Sequence, residues 1–333
     1  MTGELISLGS INADFQMRVA ALLGQQETIA ARDLLRLSGG KATNVALLAH
    51  RLGCKARLLG RVGTDDLSEQ ALRPLQAAGL NVDGVLRSKT DGTAVAIIAV
   101  PPSGSKSILL AGEANLGFDD ADIAQTVGWI EQAPDGSVLA VDYEISPAAA
   151  SQAIVAARAR GFKVVVDPSF PADVDVAALR GVTALTPNQS EAFELAGMSP
   201  EDPDDADALL HAAHRLAALA VDIVCIKLDH GGCLLLQDGE AWHQWAAPMK
   251  AVDTTGAGDA FTGAFAVALL EGQDARAAAE FAVTATELAV SIDGSQAGYR
   301  ARGEFMERLH AAKRDVTPWG ADSVRRRNAS EAT

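Results

Sequence analysis

The chain has 333 residues, 48% of them hydrophobic and only 5% aromatic, with a formal charge of −15 at pH 7. That much apolar material fills a sizeable core, in one large domain or two smaller ones, and the aliphatic bias suits helices on a buried parallel sheet better than an all-β sandwich. The acidity argues against nucleic acid as a partner, though one local anion site could still take a nucleotide, and no apolar run is long enough to span a bilayer.

Taken in order, the first apolar run, Leu5–Leu8, predicts a buried strand, and Met1–Leu5 carries no basic stretch of the kind that opens a signal peptide. Residues 12–38 hold no helical core position. Thr43–Leu52 predicts a helix, Arg57–Leu59 a strand and Leu67–Ala78 a second helix. Thr93–Val100 and Ser107–Ala111 read as strands joined by Pro101-Pro102-Ser103-Gly104, and together the segments at about 12–38 and 92–115 predict a small β-element, a candidate lid. Strands at Val138–Val141, Lys163–Val166, Thr183–Leu185 and Asp222–Lys227 then alternate with helices at Pro147–Arg160 and Ala206–Ala220. This rhythm predicts a mostly parallel sheet covered on both faces. Cys233–Leu236 and Trp242–Trp245 flank Gln237-Asp238-Gly239-Glu240, a hairpin signal. Periodicity fades from Arg314, so residues 314–333, with the basic cluster Arg325-Arg326-Arg327, are expected to form a mobile tail beyond a domain at 1–313. The three cysteines, Cys54, Cys225 and Cys233, lack CxxC spacing and read as reduced core residues of a cytoplasmic protein.

The stretch Asp253-Thr254-Thr255-Gly256-Ala257-Gly258-Asp259 carries the most chemistry. Phe261, Phe265 and Leu269 follow as an i, i+4, i+8 stripe ending at Gly272, which predicts a helix from about Ala257 with glycines at its mouth. Unpaired N–H groups there, added to the helix dipole, form an anion site. A carboxylate in the first turn, Asp259, binds phosphate poorly but accepts a proton from an attacking hydroxyl well. Taken alone, it could equally complement the dipole.

Other candidates are weaker by themselves. Asn12 and Asp14 lie two apart after the first strand and can face one side with donors and acceptors, or form an Asx turn. Gly39-Gly40-Lys41 is not a P-loop, since Leu35 stands where glycine is required and Ala42 where Ser or Thr is. Glu144 ends a strand and could serve as a helix N-terminal charge. Asn188 and Glu191 form a capping-box pattern. Lys227-Leu228-Asp229-His230-Gly231-Gly232 is a loop after a strong strand, and no GxGxxG follows any strand. His211 and His214, three apart, read as a solvated helix face.

Asp253–Asp259 resembles the DTxGAGD motif of the ribokinase-like (PfkB) carbohydrate kinases, and Gly39-Gly40-Lys41-Ala42-Thr43-Asn44 resembles that family's GGKGxN stretch. The resemblance spans about residues 4 to 310. It implies a three-layer α/β sandwich with a β-sheet lid, and an ATP-dependent phosphotransferase acting on a primary hydroxyl of a small sugar, D-ribose leading. Another sugar, a nucleoside, or a catalytically silent binding protein is the alternative. By the same resemblance Asp259 is the base, with the N–H groups of Gly256, Ala257 and Gly258 cradling the phosphoryl group. Asn12, Asp14, Gly40, Lys41, Asn44 and Glu144 would face the sugar. Asn188, Glu191, Lys227, Leu228, Asp229, Gly231, Gly232 and Gly258 would face the nucleotide, with Glu191 meeting Mg²⁺ through water. Asp253, Thr255, Ala289, Ile292, Gly294 and Gly298 would hold a monovalent cation, potassium being suggested, although Gly298 stands where the family often has serine. A homodimer joined through the lids is also implied.

Overall fold

Alternation along the buried apolar runs decides the architecture. In Val138–Val141, Val138 and Ala140 join one apolar cluster while Leu139 and Val141 join another. Ile223 and Cys225 part from Val224 and Ile226 in the same way. A strand whose two faces are both apolar needs a cover on each side, and helices supply it. The computed structural model describes residues 3–20, 28–101, 106–312 and 314–320.

The elements run β1 (Leu5–Leu8), β2 (Asn12–Val19), β3 (Ala31–Gly39), α1 (Lys41–Arg51), β4 (Ala56–Val62), α2 (Asp66–Ala77), β5 (Val85–Arg87), β6 (Ala94–Val100) and β7 (Ser107–Ala111). They continue as α3 (Asp120–Glu131), β8 (Val138–Asp142), α4 (Pro147–Ala159), β9 (Lys163–Asp167), β10 (Ala184–Leu185), α5 (Gln189–Leu195), α6 (Ala206–Ala217) and β11 (Ile223–Lys227). The last are β12 (Cys233–Gln237), β13 (Glu240–Gln244), α7 (Ala257–Leu270), α8 (Ala275–Ala289), α9 (Arg302–Ala311) and β14 (Val316–Pro318).

Among the described residues, ten strands form one sheet in the order β14-β13-β12-β11-β10-β9-β8-β1-β4-β5. β8 to β11, with β1, β4 and β5, are parallel, and β12, β13 and β14 add antiparallel strands at one end. The β12–β13 hairpin turns at Asp238 and Gly239, both at positive φ, as an Asp-Gly turn requires. The helices α1, α7 and α8 bury their apolar stripes on one face of the sheet, and α4 and α6 on the other. All three cysteines are buried and free.

A second sheet, β3-β2-β6-β7, stands apart as the lid. The chain enters it directly from β1 and leaves at Gly39-Gly40, where Asn12 of β2 pairs with Gly39 of β3 and Ala94 of β6. Of the expected lid connection, Pro102-Ser103-Gly104 lies outside the described residues.

The C-terminal boundary departs from the sequence reading. The expected tail begins inside the folded domain: Val316–Pro318 pairs with β13, and the fully buried Arg314 side chain bonds both carboxylate oxygens of Glu287 on α8. Ion pairing to a distant helix leaves no mark on local hydrophobic periodicity. Arg325-Arg326-Arg327 lies outside the described residues.

Candidate active site

The carboxyl ends of β1, β8, β9, β10 and β11 open on one edge of the large sheet, where open α/β folds bind ligands. The lid overhangs this edge, enclosing a cleft of about 1280 Å³. Asn12, Asp14, Gly40, Lys41, Asn44 and Glu144 line it, together with Asn188, Glu191, Lys227, Leu228, Asp229, Gly231 and Gly232. Thr255, Gly256, Ala257, Gly258 and Asp259 complete the wall, whereas Asp253, Ala289, Ile292, Gly294 and Gly298 lie outside it.

At the centre stands the mouth of α7. Gly256 caps the helix at φ 74°, a left-handed conformation that favours glycine, and a Cβ there would press on Ser295. Asp259, buried in the first turn, accepts a 2.6 Å hydrogen bond from Asn44 Nδ2 and lies 3.5 Å from Lys41 Nζ. Ala257 N donates to Thr254 O over a long 3.3 Å, a bond that an incoming phosphoryl oxygen would have to share.

Lys41 and Lys227 bracket this centre, with Asp167 at the end of β9 between them. Lys227 Nζ is 2.8 Å from Asp167 Oδ2, which also accepts from Thr262 Oγ1 at 3.1 Å, and Lys41 Nζ is 3.6 Å from Oδ1. Burial alone would raise this carboxyl, but the two ammonium groups and the hydroxyl outweigh it and hold Asp167 down to about 2. Burial likewise opposes the charge on Lys41, yet Asp167, Asp259 and Glu144 push it well above its ordinary value. A Cβ on Gly258 would come within 3.4 Å of Lys227 Nζ, so that ammonium overlooks the first turn of α7.

The opposite wall is poorer in cations. Burial, reinforced by Asp259 and Glu144, raises Asp14 to about 7. Its Oδ1 is buried with no hydrogen-bond partner among the described residues. Asn12 Oδ1 accepts from Asn115 Nδ2 at 2.8 Å. Glu144 Oε2 accepts from Ser10 Oγ at 2.8 Å, and the Ser10 oxygen in turn accepts from Lys41 N at 2.9 Å. Burial raises Glu144 despite Lys41 and Ser10. Gly40 takes φ 97° and has no room for a Cβ beside the Ser10 carbonyl, so the start of α1 closes tightly on the β1–β2 junction. Lys106 from the lid also faces the cleft, its ammonium disfavoured by burial.

On the remaining wall, Asn188 and Glu191 make the capping box in both directions at 2.8 Å, and burial raises Glu191. Asp229 N donates to Gln189 Oε1 at 2.6 Å, fixing the Lys227–Gly232 loop.

A family model, pfkB family carbohydrate kinase, matches residues 2–302. The chain belongs to the pfkB family of carbohydrate kinases. These enzymes are phosphotransferases with an alcohol group as acceptor. A ribokinase of Haemophilus influenzae is 29% identical over 312 residues, covering 94% of this chain and all of that one. A deoxyribokinase of Salmonella typhi is 28% identical, covering 92% and 98%. The structure of Arabidopsis thaliana ribokinase complexed with ribose and ATP has a TM-score of 0.81 at 28% identity, covering 94% of this chain and 100% of that one. Among the described residues no helix is long and apolar enough to cross a membrane.

Several residues of this pfkB site escape a sequence reading. Asp142 accepts both Ser10 N and Glu144 N, and Asp167 ties the two lysines. The two aspartates pair in register at the ends of β8 and β9. A charge terminating an apolar parallel strand at its carboxyl end is the signal that could have found them. Asn115, Lys106 and Thr262 sit in segments with no comparable mark.

Proposed function

We propose that this pfkB kinase transfers the γ-phosphoryl group of ATP to the primary hydroxyl of a pentose, D-ribose first. The observation that carries the proposal is the position of Asp259: on the first turn of a glycine-opened helix, bonded to Asn44, and near enough to Asp14 and Glu144 to raise both carboxyls. A base so placed reaches an alcohol on one side while the helix mouth meets a phosphoryl group on the other. The hydroxyl proton passes to Asp259 as the oxygen bonds to the γ-phosphorus, and the bond to the β-phosphate oxygen breaks, releasing ADP. The N–H groups of Gly256, Ala257 and Gly258, with Lys41 and Lys227, offset the charge on the transferring group. Asn12, Asp14 and Glu144 offer the mixed donors and acceptors that a polyol needs, and the unbonded Asp14 oxygen is ready for a hydroxyl. The lid keeps water, a competing acceptor, out of the cleft.

A magnesium ion suits the nucleotide wall. Hard cations take oxygen ligands and keep their waters, and the half-buried carboxylate of Glu191 beside Asn188 is a fitting outer-shell partner. Bound there it would supply positive charge to the phosphates. A monovalent cation fits less well. Thr255 N, Thr255 Oγ1, Gly294 N and Gln16 Nε2 already occupy the Asp253 carboxylate. A Cβ at Gly298 would collide with Leu288 O, so no side-chain oxygen comes from that position. Coordination would fall to backbone carbonyls of Thr255, Ala289, Ile292 and Gly294, and we expect replacing Na⁺ by K⁺ to raise turnover only modestly.

The lid's outer face supports a homodimer through the lids. Ile97 and Leu109, paired across β6 and β7 on the face turned away from the cleft, are 39% and 57% exposed, apolar surface of the kind that marks an interface. The buried free cysteines fit a cytoplasmic location. The deciding experiment is ADP release across ribose, 2-deoxyribose, hexoses and nucleosides. Ribose should give the highest kcat/KM; preference for 2-deoxyribose or a nucleoside would reassign the acceptor, and sugar binding without turnover of any would point to a regulator.

A further inference from the structure

We infer that Gln296, in the loop between α8 and α9, is a positioning residue for the base. The inference rests on the kinase reading above and extends it to a residue outside the cleft wall. Gln296 Nε2 donates to Ser38 O at 3.1 Å and to Asn44 Oδ1 at 2.9 Å, and Asn44 Nδ2 then donates to Asp259 Oδ2 at 2.6 Å.

The polarity of this chain is set from both ends. A backbone carbonyl can only accept, so the Gln296 atom facing Ser38 must be the NH₂ group. An ionised carboxylate can only accept, so the Asn44 atom facing Asp259 must be its NH₂ group. With those ends fixed, the middle contact is the Gln296 NH₂ meeting the Asn44 carbonyl oxygen, and no amide in the series can flip without setting acceptor against acceptor.

Gln296 therefore acts on the reaction through Asn44. An Asn44 amide turned the other way would aim its oxygen at the carboxylate that must receive the proton. Ser38 is the penultimate residue of β3, so the same glutamine tethers the base of the lid to Asp259. Gly294, two residues before Gln296, donates to Asp253 at 2.9 Å, anchoring the loop to the strap that precedes the helix mouth. One short loop thus ties lid, helix mouth and base together.

The test compares Gln296→Leu, Gln296→Glu and Gln296→Lys by ADP release with ribose and ATP, alongside thermal melting. Leucine removes the donors, glutamate replaces them with acceptors, and lysine keeps donors only. Expected are a roughly tenfold loss of kcat for leucine and a roughly hundredfold loss for glutamate, in the range that small misplacements of reacting groups cost. Lysine should restore kcat to within about threefold of the native enzyme, with the KM for ATP within about twofold throughout. Should the leucine variant not fold, the glutamate and lysine pair still decides. Equal kcat for glutamate and lysine, or losses that merely follow the melting temperature, would overturn the inference. Native enzyme that turns over no sugar would instead overturn the kinase reading.

Discussion

Asp167 and Asp14 are both buried carboxylates beside the same cleft, and the protein treats them oppositely. Asp167 belongs to the large sheet; two lysines and a threonine surround it and hold it near 2. Asp14 belongs to the lid; one of its oxygens has no bond among the described residues, and its pKa climbs to about 7. On the reading proposed above, the carboxylate of the phosphate wall already has its cations in place, which avoids reorganisation at the moment of transfer. On the same reading, the sugar wall gathers carboxylates instead, and an Asp14 oxygen is left for a hydroxyl of the polyol.

The largest test of this contrast is Asp259→Asn. Removing a general base should lower kcat by about 10²–10⁴-fold while calorimetry still detects sugar binding; native turnover would remove Asp259 from its role. Next is Asp167→Ala, which leaves two buried ammonium groups without their shared counter-ion. Losing one member of a buried ion pair costs about 3–5 kcal/mol, read from the denaturation midpoint. A midpoint equal to the native one would mean that water already screens the pair.

Asp14→Asn works in the other direction on the free protein. Because the folded-state value is raised, the native carboxyl holds its proton above pH 4 while the unfolded chain releases it. Its contribution to stability is complete below about pH 4 and is lost as pH rises through about 7. Asparagine has no such loss, so the variant's melting temperature should gain on the native enzyme between pH 4 and pH 8, while its sugar affinity falls about tenfold and its ATP affinity stays. A constant difference across that range would show that Asp14 is ionised throughout. The smallest effect on the core is expected from Leu109→Glu on the lid's outer face. It should shift sedimentation from dimer to monomer with the melting temperature little changed, and an unchanged sedimentation coefficient would move the interface elsewhere.

Much of this was legible residue by residue. Leu5–Leu8 is β1 to the residue, and the stripe Phe261, Phe265 and Leu269 with Gly272 beyond it marks α7, observed at Ala257–Leu270. Such elements depend on period and on glycine punctuation, both of which are local. The residues expected on the sugar and nucleotide sides all line the cleft, whereas most of the expected cation ligands do not. Asp142, Asp167, Gln296 and Arg314 were not legible as site or anchor residues, because each acts through a partner from 27 to 258 positions away.

The sequence by itself determined the kind of molecule: apolar runs demanding a doubly covered sheet, a helix opened by glycines, and a carboxylate in its first turn. Those features arise from backbone sterics and side-chain periodicity within a dozen residues. Only the tertiary structure decided how charge is distributed around the cleft, which lysines share Asp167, why Asp14 stays partly unbonded, and how Gln296 reaches Asp259 through Asn44. Electrostatic energies depend on distance and burial in three dimensions, and neither quantity is written along the chain.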